Sequence, residues 1–413
     1  MSSTVPSIAS NNAARLTIWC CCLQLFAVGL GACQHTGTDK APLMAAGTGV
    51  AAPVSGQAAP VGAEGASSTV AGASSAPHAG SAGVGSAGVA AVGGGGVAGV
   101  AAGAGAAGTP ANGGAGGANP DAGTSQADAG PVVACNPADR TPDATVVPIS
   151  SIKDNQNSAP IAPAKGPMMP VVEQDPGLKT HTVFRPMTLP DTTKLPIVVW
   201  AEGGCVKNGT LFGRFLLEIA SYGFVIVADG TPNGTGMGQL TTDGVPQTKA
   251  MDWIVAENSR PCSKYYQKLD TSKIAAMGQS CGGLMTLGAA GDPRLTTVVI
   301  WNSGLLQKDQ KIYDSLHAPM AYFIGGSNDV SYPQAEADFA AITKVPVFYA
   351  NLPVGHFATY SEDNGGEFAR VGIGWLKWQL YGDTSANGQG MFVGADCGLC
   401  KGTMWTVKKK NLM

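Results

Sequence analysis

Ser280 stands in "GQSCGG", residues 278–283, between an apolar run and a second stretch of small and apolar residues. A serine hydroxyl is a poor nucleophile at neutral pH. It attacks a carbonyl only when a histidine takes its proton and a carboxylate orients that histidine. The pattern G-x-S-x-G alone decides little in a chain with 58 glycines among 413 residues, so its surroundings carry the argument. A strand leading in and a helix leading out would put Ser280 on the sharp turn that exposes such a nucleophile. Gly278 and Gly282 would leave room for the bend, and Gly283 would let the helix pack closely on the strand.

Beyond Ser280 the chain has two histidines. His317, in "DSLHAPM", precedes an apolar run and falls at the wrong edge of a sheet. His356, in "ANLPVGHFATY", follows one. The acid should lie between serine and histidine, after another strand, and "YFIGGSNDV" puts Asp329 there. Asp292 and Asp314 precede strands instead. Order, edge and residue type select Ser280, Asp329 and His356, with the amide of Cys281 as one donor to a developing oxyanion.

These groups need a scaffold. "LPIVVW", "FVIVADG", "SKIAAMG", "LTTVVIWNSG", "APMAYFIGG" and "VPVFYANL" read as buried strands. Between them, "TLFGRFLLEIASYG" repeats Leu211, Phe215 and Ile219 at helical spacing, with Phe212 and Leu216 beside them and Gly223 to stop the helix. "PQTKAMDWIVAEN" and "CGGLMTLGAA" are further helices, and the last one carries Phe368, Val371, Trp375 and Leu376. The alternation predicts an α/β fold, a mostly parallel sheet with helices on both faces. Catalytic groups then gather beyond the carboxyl ends of the strands.

Through "FLLEIASYGFVIVADG", "KIAAMGQSCGGLM", "GGSNDV" and "GHFATYSEDNGGEFARVGIGWLKWQLYGD" the chain resembles the α/β-hydrolase fold of the dienelactone-hydrolase and polyester-hydrolase (cutinase-like) group. The resemblance covers most of residues 180–383. It implies that the second oxyanion amide belongs to Cys205, in "AEGGCVKNG". Two departures stand out. Glu202 replaces the histidine that many esterases carry before the glycines, and both oxyanion positions are cysteine where polyester hydrolases have an aromatic and a methionine. Amides that converge on one oxygen bring their Cα atoms within the roughly 4.4–6.8 Å that a disulfide spans. Cys205–Cys281 is therefore an expected bridge, which would wall the pocket with sulfur. Two free, buried cysteines acting as small apolar residues are the other reading. Glu202, Gln279, Trp301 and Phe357 are expected pocket residues, and the lining loops "GTPNGTGMGQLTTDG" and "WNSGLLQKDQKIYD" carry little charge, which suits a neutral or apolar acyl group.

The N-terminus sets the compartment. Arg15 precedes "LTIWCCCLQLFAVGL", too short for a confident membrane span, and "LGAC" follows. This resembles a bacterial lipoprotein signal over residues 1–32, with lipid on Cys33; an ordinary secretory signal with a chance cysteine is the alternative. Residues 33–130 are mostly Gly, Ala, Ser, Val and Pro, with too few large side chains to offset the entropy of ordering, and read as a disordered tether. Residues 131–413 have globular composition and form the catalytic domain, with a core at about 145–383 and a cysteine-containing extension at 384–413. Six cysteines lie there, an even number that suits an oxidising compartment. "CGLC" suggests a local Cys397–Cys400 bridge, and elimination leaves Cys135–Cys262. The lysines of "VKKKN" read as a solvated end.

A net charge of −3 without a basic stripe argues against nucleic acid. No metal or cofactor is expected, and membrane contact would come through the N-terminal lipid alone, on a monomer. The reading is an exported serine carboxylic-ester hydrolase with a small-molecule or polymeric ester as substrate. A polyester depolymerase, a peptidase or an acyltransferase on the same fold, and a non-catalytic surface-display lipoprotein, are the alternatives.

Overall fold

The computed structural model describes residues 135–412 except 141 and 155. The signal, the Gly/Ala-rich stretch and Cys33 lie outside the described residues. Within them, strands that are apolar on both faces can only be buried from both sides, and the chain does this with one sheet. Its strands are β1 (Thr145–Val147), β2 (Pro170–Gln174), β3 (His181–Pro186), β4 (Leu195–Ala201), β5 (Val225–Asp229), β6 (Leu269–Gln279), β7 (Leu295–Trp301), β8 (Met320–Ile324), β9 (Val347–Asn351) and β10 (Thr406–Lys410). They lie in the order β1-β2-β3-β5-β4-β6-β7-β8-β9-β10. Pairing is parallel from β5 through β4, β6, β7 and β8 to β9, and antiparallel at both margins.

Six helices of the described chain cover the sheet: α1 (Gly213–Ala220), α2 (Val245–Ser259), α3 (Cys281–Ala289), α4 (Gln310–Ser315), α5 (Tyr332–Ala341) and α6 (Gly366–Tyr381). The two-residue period of the strands sorts the core into two layers. Val198, Trp200, Met277, Val299, Trp301 and Phe323 pack with Phe215, Ile219, Phe368, Val371 and Trp375 of α1 and α6. Ile197, Val199, Ala276, Val298, Ile300 and Tyr322 pack with Met251, Ile254, Leu284, Leu287 and Ala335 of α2, α3 and α5. This is the α/β-hydrolase fold expected from the sequence.

Three strands ahead of β4 escape a search for apolar runs: β1 is three residues long and unburied, and β2 and β3 bury polar groups. Glu173 of β2 is the clearest case. It accepts from Arg185 Nε (3.0 Å) and Nη2 (2.8 Å), Lys264 Nζ (2.9 Å) and Tyr265 Oη (2.7 Å). Burial acts to raise its carboxyl, and the bonds and charges of Arg185 and Lys264 outweigh that and hold it below the ordinary value.

The lysine run is not a solvated end. It is β10, paired antiparallel with β9. Lys408 bridges Glu336 at 2.5 Å and lies over the Tyr349 ring. Lys410 Nζ donates to the carbonyls of Phe339, Ala340 and Ile342, where α5 ends. A cation at a helix C-terminus satisfies carbonyls that no helical N–H reaches. Charged side chains also suit an edge strand, since they discourage pairing with another chain. Two disulfides fasten the margins: Cys135–Cys262 at the start of the described chain and Cys397–Cys400 in the extension.

Candidate active site

The carboxyl ends of five neighbouring parallel strands supply the site. β6 runs into Ser280, which takes φ 54° and ψ −115°, a strained backbone at a sharp strand-to-helix turn. Gly282 makes this turn compatible with the sheet. A Cβ there would lie 1.9 Å from the carbonyl oxygen of Ala201, at the end of β4.

His356, in the loop after β9, approaches Ser280 Oγ with Nε2 at 2.9 Å. Its Nδ1 lies 2.6 Å from Oδ1 of Asp329, in the loop after β8. A proton on Nδ1 is donated to the carboxylate, which leaves Nε2 to accept from the serine hydroxyl. Asp329 is buried and also accepts from Ser331 N (3.0 Å), Gly325 N (2.9 Å) and Asn302 Nδ2 (2.7 Å). Burial works to raise its pKa, but the hydrogen bonds and the charge of His356 prevail and hold it below the ordinary carboxylate value. The loops that carry Asp329 and His356 are also joined through backbone, Gly355 N donating to Gly325 O at 2.6 Å.

After β4 the chain turns at Gly203–Cys205, with Gly204 at φ 62° and Cys205 at φ 55°. Cys281 is the first residue of α3, so its N–H has no carbonyl of its own helix to bond. The disulfide Cys205–Cys281 holds the two Cα atoms 5.3 Å apart. Its residues are buried with Ala201 and Met285, and Cys281 Sγ lies 4.0 Å from the carbonyl oxygen of Gln239, in the loop after β5.

Residues 135–389, well over half of the chain, match the family described as PET hydrolase-like. The chain belongs to that family. It is an ester hydrolase of the α/β-hydrolase fold, and the three disulfides among the described residues fit an exported protein. No curated protein matches it.

Three of the four expected pocket residues of this PET hydrolase-like chain are buried. Trp301 belongs to the core: as the last residue of β7 it points to the α1/α6 layer and stacks on Phe323, with ring centroids 4.6 Å apart. Strand alternation, not proximity to Ser280 in the sheet, decides its direction. Glu202 is buried, and burial pushes its pKa well up although the neighbouring Trp200 indole acts to lower it. Gln279 lies under the site, its Nε2 donating to His356 O at 3.1 Å. Its Oε1 lies so close to Gly203 that a Cβ on that glycine would come within 1.9 Å. Phe357 is 41% exposed, its ring 5.7 Å from that of His356.

Sequence reasoning passed over Asn302 and Tyr360. The signal for Asn302 was its place at the carboxyl end of β7, between the strands that carry nucleophile and acid.

Proposed function

We propose that the protein is a serine carboxylic-ester hydrolase in which Ser280 is the nucleophile, His356 the general base and acid, and Asp329 the group that fixes the imidazole. The contact chain Ser280 Oγ–His356 Nε2–Asp329 supports this reading, at 2.9 Å and 2.6 Å. Ser280 Oγ adds to the ester carbonyl carbon while His356 Nε2 takes its proton. The carbonyl oxygen becomes an oxyanion that the amides of Cys205 and Cys281 stabilise. Collapse breaks the ester C–O bond, and the proton on Nε2 goes to the leaving alkoxide. Water then attacks the acyl-enzyme in the same way and releases the acid.

The substrate class follows from the side chains around this chemistry. Val354 and Phe357 are exposed on the base loop. Met237 and Leu240 are exposed on the loop after β5, whose Gly238 N donates to Cys205 O at 2.6 Å. Apolar rims on both sides of Ser280 favour a neutral ester with apolar groups, free or part of a polymer surface. A lipid on Cys33 would tether the enzyme to the envelope, and Cys33→Ala should then move it from the detergent phase to the aqueous phase.

The test is covalent. A fluorophosphonate should label the wild type at Ser280 alone, and p-nitrophenyl acetate should be hydrolysed. Ser280→Ala should lose the label and a thousandfold or more in kcat, about the cost of removing one member of such a triad. Labelling that persists in Ser280→Ala sinks the assignment.

A further inference from the structure

Asn302 follows β7 and is fully buried. Its φ is +42°, a left-handed conformation that asparagine tolerates better than most residues. Its backbone N–H donates to Phe323 O of β8 at 2.9 Å. Its side chain makes three contacts. Nδ2 donates to Asp329 Oδ2 at 2.7 Å and to Gly355 O at 3.3 Å, and Oδ1 accepts from Tyr360 Oη at 2.5 Å. The carboxylate can only accept, so the amide nitrogen must face Asp329.

Asp329 thus has its oxygens shared between two tasks. Oδ1 takes the imidazole and Ser331 N, and Oδ2 takes Asn302 and Gly325 N. Asn302 is the only side chain besides His356 among these donors. It also holds the carbonyl of Gly355, the residue directly before the base.

We infer that Asn302, anchored by Tyr360, is a positioning residue for the reaction: it fixes the Asp329 carboxylate and draws its negative charge away from the imidazole. The inference rests on the Ser280–His356–Asp329 reading. A donor on Oδ2 lowers the electron density left on Oδ1. Without it the carboxylate can rotate, and the imidazolium is held more tightly because more charge faces it. The titratable groups that face Asp329 are His356 after β9, Tyr349 within β9 and Tyr360 ahead of α6. Burial pushes both phenols up, so they stay neutral through the assay range.

The experiment uses the full chain and p-nitrophenyl butyrate. Asn302→Gly keeps a residue suited to positive φ and deletes the amide. Asn302→Asp keeps the shape but sets a second carboxylate against Asp329. Tyr360→Phe removes the anchoring hydroxyl alone. For Asn302→Gly, kcat should fall about 10- to 100-fold, the usual cost of losing an outer hydrogen-bond partner, with KM kept. The acidic limb of kcat/KM should move to higher pH, further for Asn302→Asp than for Asn302→Gly. Tyr360→Phe should change kcat in the same direction by less, and it carries the test alone if both Asn302 variants fail to fold. A folded Asn302→Gly with unchanged kcat and pH profile overturns the inference. So does a loss of kcat with the acidic limb unmoved, which assigns Asn302 to structure alone; without the Asn302 variants, an unchanged kcat in Tyr360→Phe overturns it. Absence of fluorophosphonate labelling in the wild type would instead remove the reading on which it rests.

Discussion

The Cys205–Cys281 disulfide ties the turn after β4 to the first residue of α3, with the two Cα atoms 5.3 Å apart. The two amides proposed to hold the oxyanion therefore belong to covalently linked residues. Donors aimed in advance are worth most when nothing has to reorganise as charge develops. The double variant Cys205→Ala/Cys281→Ala keeps both amides and loosens their aim. Its kcat should fall about tenfold, less than the 10²–10³ that follows loss of a donor outright. Unfolding in urea should show a loss of about 2–4 kcal/mol, since the bridge closes a 76-residue separation. Unchanged kcat in a folded double variant would separate the bridge from catalysis. Because both residues are buried, reductant should act on the native enzyme only slowly.

Trp301 tests where the substrate does not bind. It sits under the site, between Phe215, Phe323 and Phe368. Trp301→Ala should cost about 3–5 kcal/mol of stability, the usual result of emptying a large core position. Trp301→Phe should leave KM for a short ester unchanged. A KM that rises severalfold in Trp301→Phe would put the ring back in the pocket.

Asp338 gives the fold a pH signature. It accepts from Tyr313 Oη (2.7 Å), Tyr322 Oη (3.1 Å) and Leu305 N (2.9 Å), and burial pushes its carboxyl up from 3.8 to about 6. The folded state then binds more protons here than the unfolded state between these values. The contribution is full below the unfolded pKa and is lost as pH rises through about 6. Its upper size is roughly 3 kcal/mol. The stability of the wild type minus that of Asp338→Asn, from urea curves, should therefore grow from pH 7 to pH 4.5. A difference that is flat with pH would contradict this.

β10 guards the sheet margin. Removing residues 405–413 would uncover β9 and take Trp405 from its stack on Phe368, where ring centroids lie 5.8 Å apart. The truncated protein should melt several degrees lower and show concentration-dependent association by light scattering. Lys410→Ala alone should give a smaller fall in melting temperature and no association, because the strand remains.

The parallel strands, and the gathering of Ser280, Asp329 and His356 at one edge of the sheet, were legible because each strand was a pure apolar run followed by a polar loop, so that edge could be read. The margins were not. β2 and β3 bury Glu173 and His181 and half-bury Arg185, which break the apolar signal although each has a partner in the fold. β10 is dominated by lysines, and the partners of Lys408 and Lys410 lie some 70 residues away on and just after α5, a distance that no local pattern records. Phe357 at the base could be read from its neighbour. The direction of Trp301 could not, because a strand's last residue lies at the mouth of the site whichever face it takes, and only the register of β7 with β6 and β8 fixes that face.

The bridge between Cys135 and Cys262 has a mechanical meaning. β1 is three residues long and pairs only with β2, so tension along the chain from its N-terminal side would peel the sheet open strand by strand. Cys135 lies ahead of β1, and its sulfur hands that tension to Cys262, in the segment between α2 and β6. The force path bypasses β1 and β2. An enzyme dragged by its N-terminal side across a solid would keep its edge strands at rest.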